Sequence, residues 1–347
     1  MKILVTGGCG YLGSHTCVEL LLNNYEVVIV DNYENSKKNI PKKIEQITGK
    51  NVKTYEIDLC NKEELRTVFE ENDISAVIHL AGKKGVEESS QNAINFYNSN
   101  VAATISLLEV MSEYDCKKLV FGSSAMVYGD GHTTQITEEE DISPDNVFGK
   151  TKAMCEMILK DIYETDNKWS ISILRHFNPA GAHQSGLLGE DLDGKHSSLI
   201  PRLVAAATGG IDELPVYGND YDTEDGTGRR DFTHVCDIAK AHVKAIEKVL
   251  STKEYDCYNL GTGYSHSVLD VIRIFEKVNG VKINYVIKSR REGDAEICYA
   301  DPYYTSRKLG WEAEKDLGDI CIDSYNYAIK QYIDKDTEEI EEYEYEE

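Results

Sequence analysis

The chain has no run of about eighteen apolar residues, which excludes a membrane-spanning helix, and Lys2-Ile3-Leu4-Val5-Thr6 is too short an apolar start for a signal peptide. Positive charge is scarce. Lys and Arg number 37 against 61 Asp and Glu, a formal charge of -24. A surface of that sign repels a phosphate backbone or an anionic bilayer, so nucleic-acid and membrane partners are excluded. Paired cysteines are missing as well. Nine cysteines, an odd number, lie scattered from Cys9 to Cys321 with no C-x-x-C pair, and no histidines cluster at metal-ligand spacing. This usage argues against a disulfide framework and a metal site and fits a soluble, cytoplasmic chain in a reducing compartment. No internal repeat is present.

Part of the charge is local. Asp334 to Glu347 hold nine acids and one lysine, contributing -8 and leaving -16 for the rest. Residues 331–347 therefore read as a solvated, disordered tail. The remaining chain, within 347 residues that are 41% apolar and 28% charged, suits two packed regions sharing a crevice.

Short apolar runs alternate with helix-length amphipathic stretches in the first half. The runs fall at 2–6, 26–31, 52–58, 76–82, 117–124 and 170–178; helical patterns fall at 14–23, 62–71, 93–114 and 148–165. This βαβ order predicts an α/β fold with a Rossmann-type, doubly wound parallel sheet over 1–178. Beyond Asn178 the sequence turns to Gly-rich, charged loops, which shape sites more often than cores. A smaller C-terminal α/β substrate-binding region is expected at 179–330, with segments returning to the first domain.

Thr6-Gly7-Gly8-Cys9-Gly10-Tyr11-Leu12-Gly13 follows a predicted strand and opens a predicted helix. Gly7, Gly10 and Gly13 permit a tight turn and bring backbone N–H groups to a pyrophosphate at a helix N-terminus. The glycines alone are a weak signal. Asp31 strengthens it: it ends the second strand eighteen residues after Gly13, where a carboxylate accepts hydrogen bonds from ribose hydroxyls and repels a 2′-phosphate. NAD is thus expected over NADP. Asp58, ending the third strand, can meet the adenine amino group, and Ala81-Gly82 at the fourth allow close approach of the cofactor.

Ser123-Ser124-Ala125-Met126-Val127-Tyr128-Gly129, followed by Phe148-Gly149-Lys150-Thr151-Lys152, resembles the extended short-chain dehydrogenase/reductase family. The loops Asn178-Pro179, Gly181-Ala182-His183, Gly189-Glu190-Asp191, Gly218-Asn219-Asp220-Tyr221, Thr223 to Gly228, Arg230-Asp231 and Arg290 to Asp294 narrow this to a resemblance to the UDP-glucose 4-epimerase family over about residues 1–330. The resemblance implies NAD contacts at Gly7, Gly10, Tyr11, Leu12, Asp31, Asn32, Asn35, Ser36, Asp58, Leu59, Leu80, Ala81, Gly82, Lys84, Ser99, Ser124, Lys152, His176 and Pro179. Lys84 would face a cofactor phosphate. It implies UDP-sugar contacts at Lys84, Ser124, Met126, Asn178, Ser198, Leu199, Val216, Tyr217, Arg230, Arg291, Asp294 and Cys298. The two arginines suit a diphosphate, because each presents a planar fork of donors.

The family reaction inverts C4 of a UDP-hexose: bound NAD takes hydride from C4, the 4-keto sugar turns over, and hydride returns to the other face. A tyrosine serves as base, supported by a serine and a lysine that match Ser124 and Lys152 here. The tyrosine position is Phe148. Its loss implies intact binding and strongly reduced turnover. Two origins stay open, a Tyr-to-Phe replacement in an active enzyme and a natural chain that only binds. Functionally, a 4-epimerase stands beside a non-catalytic NAD and UDP-sugar binder and another NAD-dependent UDP-sugar-modifying enzyme. Ala125 and Met126 stand where related dehydratases carry Asp-Glu, which argues against dehydration. Cys298 aligns with a bulky tyrosine of some epimerases, so the smaller side chain implies room for the N-acetyl group of UDP-GlcNAc and UDP-GalNAc. Ser197-Ser198, His176 and Ser99 are further departures that retain hydrogen-bonding groups. The helices at 93–114 and 148–165 resemble the pair that forms a homodimer interface in the family.

Overall fold

The computed structural model describes residues 1–191, 198–291 and 294–345, with backbone alone beyond 331. Seven parallel strands form its main sheet. They are β1 (Lys2–Thr6), β2 (Glu26–Asp31), β3 (Lys53–Glu56), β4 (Ile74–His79), β5 (Lys118–Ser124), β6 (Ser170–His176) and a late strand, Tyr255–Leu260. From one edge the order is Tyr255–Leu260, β6, β5, β4, β1, β2, β3. The reversal at β1 and β4 opens a crevice beyond the carboxyl ends of these strands, where such sheets bind ligands.

Alternation along each strand divides the apolar side chains between the two faces. Ile3, Val5, Ile29, Ile78, Val120 and Leu174 pack on one side with Cys17 and Leu20 of helix Tyr11–Leu22 and Ile238 and Ile246 of helix Val235–Ser251. Leu4, Val28, Val77, Leu119, Phe121 and Ile173 face the other way, toward Val68 of helix Lys62–Glu71, Leu107 of helix Ala103–Glu113 and Leu159 of helix Val147–Thr165. Burial on both faces explains why the runs are almost continuously apolar. The sheet predicted from the sequence is therefore present.

A separate core holds the smaller region. Leu203 and Val204 of helix Leu199–Ala207 meet Leu214 and Val216 of a short strand, together with Val271, Phe275 and Ile320. The strand Leu214–Tyr217 pairs in parallel with Tyr285–Lys288, Tyr217 opposite Lys288. Helix Val235–Ser251 packs on the main sheet, and Tyr255–Leu260 pairs with β6 from Tyr255 opposite Ile171 to Leu260 opposite His176. That strand covers an edge of β6 that would otherwise expose unpaired backbone groups.

Two expectations change. The helical stretch expected at 93–114 contains a π-helical segment, Tyr97–Ala102. Asn100 lies within it, its side chain accepting from Lys83 N at 2.7 Å and donating to Lys83 O at 3.1 Å and Thr151 Oγ1 at 2.9 Å. The final helix, Leu317–Tyr345, continues through the acidic segment expected to be disordered. Glutamate is a good helix former, and adding residues to an existing helix avoids the cost of nucleation.

One buried ion pair joins helix and sheet. Glu156, on helix Val147–Thr165, accepts from Arg175 of β6 through both oxygens, Nε–Oε1 at 3.1 Å and Nη2–Oε2 at 2.7 Å, and Ser123 donates to it. Arg175 also donates to Tyr128 Oη at 2.7 Å, and that hydroxyl donates to Asn259 Oδ1 at 2.7 Å. Removing the carboxylate would leave a guanidinium that is only 6% exposed without its counter-charge. Glu156→Ala is expected to cost about 3–5 kcal/mol, read as a fall in the denaturant midpoint, whereas an exposed pair such as Lys62–Glu109 changes it little on truncation.

Candidate active site

The loop between β1 and the first helix makes a backbone cradle. Gly7 N donates to Val30 O at 2.8 Å and Gly10 N to Gly7 O at 3.1 Å, folding the chain tightly over the sheet edge. A β-carbon on Gly7, whose φ is +67°, would lie 2.7 Å from Ala81 N, and one on Gly13 would lie 2.1 Å from Gly7 O. Both glycines are demanded by the protein's own packing. At Gly10 the nearest atom would be Gly7 O at 3.2 Å. This bare position leaves space at the start of helix Tyr11–Leu22, as a dinucleotide's pyrophosphate requires.

Asp31 closes the cradle at the end of β2. Its Oδ2 accepts from Cys9 N at 2.9 Å, and its Oδ1 accepts from Tyr33 N at 2.9 Å and Ser36 Oγ at 2.8 Å. The carboxylate is oriented before any ligand arrives. Asn32 donates to Asp58 Oδ2 at 3.3 Å, and Asp58 Oδ1 accepts from Cys60 N at 2.8 Å. Asn35 and Asp58 are exposed, whereas Leu59 is buried in the core. Leu80, Ala81 and Gly82 follow β4 along the opposite wall. Lys84 reaches across to Glu190 at 2.7 Å, and Tyr11 Oη donates to Gly181 O at 2.6 Å. Leu12 packs against the first core, and Ser99 donates weakly to Asn95 at 3.4 Å.

Ser124 ends β5, where its Oγ accepts from Met126 N at 3.2 Å. Phe148 and Lys152 lie four residues apart on helix Val147–Thr165 and share a face. Asn146 caps this helix through Gly149 N at 2.8 Å, while Phe148 N donates to Ser89 Oγ at 3.3 Å. Lys152 Nζ donates to Gly122 O at 2.7 Å and lies 4.8 Å from the centre of the Phe121 ring. Burial holds its ammonium below the usual lysine range, opposed in part by Cys155 and Glu156.

His176 stands opposite Ser124 in the β5–β6 register. Burial, with smaller contributions from His242 and Lys152, holds it well below the usual histidine range, so its ring is neutral at pH 7. His176 Nε2 and Asn178 Oδ1 are buried without a protein partner, among seven such side-chain atoms in the described residues. Buried polar atoms left this way are costly. A polar ligand group at the end of β6 would satisfy them, which fits a cofactor lying from the Gly7–Gly13 cradle toward this strand. Pro179 follows in the short strand Asn178–Ala180.

The second region supplies the other wall. Ser198 donates to Glu190 at 3.3 Å, and Leu199 begins the next helix. Tyr217 lies beneath Arg291, whose guanidinium carbon is 4.5 Å from the ring centre. Asp294 holds Arg291 at 2.9 and 3.3 Å, and Arg230 donates to Arg229 O at 2.9 Å. The side chain of Val216 is fully buried in the second core, so a substrate contact expected at this residue would fall to its backbone. Cys298 packs with Ala125, Val127, Tyr128 and Ala300 directly behind the turn after Ser124, and burial pushes its thiol up to about 11. It is thus an inert thiol beside the Ser124 end of the site. Met126 is half-buried, its sulfur 3.9 Å from Asn146 Nδ2. Ser197, Glu292 and Gly293 fall outside the described residues.

Several contributors were not singled out in the sequence. Asn100 joins the Lys83 backbone to Thr151, Lys83 pairs with Glu34, and Asp231 accepts from Thr262 N, Gly263 N and Ala300 N at 2.9, 3.0 and 3.2 Å. These are long-range pairings with no local spacing signal. Asp231 was quoted only as part of a loop motif.

Residues 3–261 match the NAD dependent epimerase/dehydratase family. A Bacillus subtilis protein named UDP-glucose 4-epimerase is 49% identical over 327 residues, covering 94% of this chain and 96% of its own. A Haemophilus influenzae protein of the same name is 45% identical over 328 residues, covering 94% and 97%. The crystal structure of UDP-glucose 4-epimerase from Bifidobacterium longum in complex with NAD+ and UDP is 46% identical, with a TM-score of 0.92 and coverage of 95% of this chain and 98% of that one. UDP-glucose 4-epimerase from Stenotrophomonas maltophila, solved with bound NAD and formylated UDP-arabinopyranose, is 39% identical with a TM-score of 0.93, covering 96% and 99%. With the cradle, the Ser124–Lys152 end of the crevice and likeness over nearly the whole chain in agreement, the chain belongs to the UDP-glucose 4-epimerase family within the NAD-dependent epimerase/dehydratase proteins.

Proposed function

We propose that this chain binds NAD and a UDP-hexose and carries the 4-epimerase site for UDP-glucose and UDP-galactose, with turnover limited by Phe148. The observation that carries this reading is the convergence of Ser124, Phe148 and Lys152 at the end of β5, beside the glycine cradle. When bound, NAD supplies reversible acceptance of a hydride from C4. Asp31 holds the adenosine ribose, while Lys152, anchored on Gly122 O, places a cation at the site. Ser124 offers a hydroxyl to the sugar. Arg230 and Arg291 hold the diphosphate, supported by Tyr217 and Asp294.

Phe148 has no proton to exchange. The helix cap, the Lys152 anchor and the Glu156–Arg175 pair are all present around it, so the lost function is confined to the general base. A positioned base contributes about 10²–10⁴ in rate. Phe148→Tyr is expected to raise interconversion of UDP-galactose and UDP-glucose by about that factor, with UDP affinity nearly unchanged. Absence of any gain in a folded, NAD-loaded variant would favour the second reading, a binder of NAD and UDP-sugars without turnover. Phe148 itself is what favours that alternative. Net release of NADH would point instead to another NAD-dependent modification of the sugar.

Cys298 supports a wider substrate range. Its side chain is buried with Ala125 and Val127 behind the Ser124 turn, and it is much smaller than a tyrosine at that place would be. In a Phe148→Tyr background, Cys298→Tyr should selectively suppress activity on UDP-GlcNAc and UDP-GalNAc. Unchanged activity on both N-acetylated substrates would remove this assignment.

The chain is further proposed to act as a homodimer. Ile94 and Ile105 lie on the 93–113 helical stretch, Met154 and Met157 on helix Val147–Thr165, and all four are exposed apolar side chains. Light scattering coupled to size-exclusion chromatography should give twice the 39.0 kDa chain mass. A monomeric mass across the working concentration range would refute the assembly.

A further inference from the structure

Arg202 takes no part in the site described so far, yet the fold carries it there. It lies on helix Leu199–Ala207, one turn beyond Leu199 and on the same side. Its Nη1 donates to Tyr217 Oη at 3.4 Å, and its guanidinium carbon is 5.7 Å from the centre of that ring. Arg291 approaches the same ring to 4.5 Å. The strand pairing that sets Tyr217 opposite Lys288 brings Arg291, three residues further on, to this point. Separate elements therefore deliver two guanidiniums to one aromatic side chain.

The electron-rich face of the tyrosine attracts a guanidinium, and Asp294 holds Arg291 beside it. The chain as a whole carries 61 acids to 37 bases. Arginines are nevertheless gathered here, with carboxylates among them. Arg290 lies 3.8 Å from the centre of the Tyr221 ring and pairs with Asp220, while Asp294, which holds Arg291, opposes Arg230, Arg290 and Arg291 at the Tyr221 hydroxyl. Arg202 and Arg291 thus meet at Tyr217 from separate elements, with Arg230 near Tyr221, and planar donor forks converging in this way suit phosphate oxygens.

We propose that Arg202 is a further binding residue for the diphosphate of the nucleotide sugar, acting with Arg291 across Tyr217 and with Arg230. The assignment rests on the UDP-sugar reading above. It makes the helix Leu199–Ala207 a source of ligand charge as well as a wall of the crevice.

Calorimetric titration of the NAD-loaded chain with UDP, at low and at high salt, tests it. At low salt Arg202→Met should weaken UDP binding by about ten- to hundredfold, with Arg202→Lys falling between. At high salt the gap between Arg202 and Met should narrow, as expected for a half-exposed charge. NAD content and melting temperature should stay those of the parent chain, and Arg202→Gln provides the same comparison should the Met variant lose either. UDP binding by Arg202→Met equal to that of the parent, with Arg291→Met weakened, would overturn the role of Arg202 and leave the UDP-sugar reading standing. A gap that is the same at both salts would also overturn it, because loss of packing does not screen. Failure of the parent chain to bind UDP would remove the UDP-sugar reading and this inference together.

Discussion

The Glu156–Arg175 pair sits between helix Val147–Thr165 and strand β6, and the geometry of the site depends on it. Glu156 is one turn beyond Lys152, which is one turn beyond Phe148, so one register of this helix on the sheet places all three. A bidentate carboxylate–guanidinium contact tolerates little sliding, because a shift of one turn would strand both charges in the core. Ser123 joins the same carboxylate and is covalently adjacent to Ser124, the hydroxyl at the site. Tyr128 and Asn259 extend the network to the turn after β5 and to the strand Tyr255–Leu260. A polar cluster below the crevice thus aligns β5, β6, the late strand and the helix that faces the ligand.

On the proposed reading, this arrangement explains how the remaining site stays intact around Phe148. Phe148 occupies the first turn of a helix whose position is set further along its length by Lys152 and Glu156 and at its start by Asn146. The aromatic ring contributes little to that alignment through its para position. The proposed function therefore separates binding from proton transfer: the cradle and the arginines depend on backbone paths and strand pairing, whereas the proton step is assigned to the single position 148.

Much of the fold was legible because a parallel sheet buried on both faces writes itself as apolar runs separated by helical periods. Gly13 and Asp31 were legible for a related reason: each is held by neighbours within a short βαβ unit, whereas Gly7 is also pressed by Ala81 beyond the fourth strand. The sequence was less informative where contacts span long separations. Asn100 bonds Thr151 across 51 residues and Lys83 across 17, and Arg202 meets Tyr217 from another element. Adjacent positions on a strand point to opposite sides, so Tyr217 can face the crevice while the side chain of Val216 enters the core, which the spacing of the loop motif does not reveal. The acidic end was read through its charge, but its glutamates also extend a helix that had already begun.

Local chemistry alone determined that the Gly7–Gly13 turn opens a helix, that a carboxylate ends β2, and that Phe148 brings no titratable group to its position. These follow from residue types and from spacings shorter than one βαβ unit. Tertiary structure decided which charges meet: Lys84 with Glu190, Arg175 with Glu156, and Arg202 with Arg291 around Tyr217. The reason is physical. Backbone conformation is set by neighbours along the chain, but electrostatic interaction depends on distance and burial, and only the packed fold determines those.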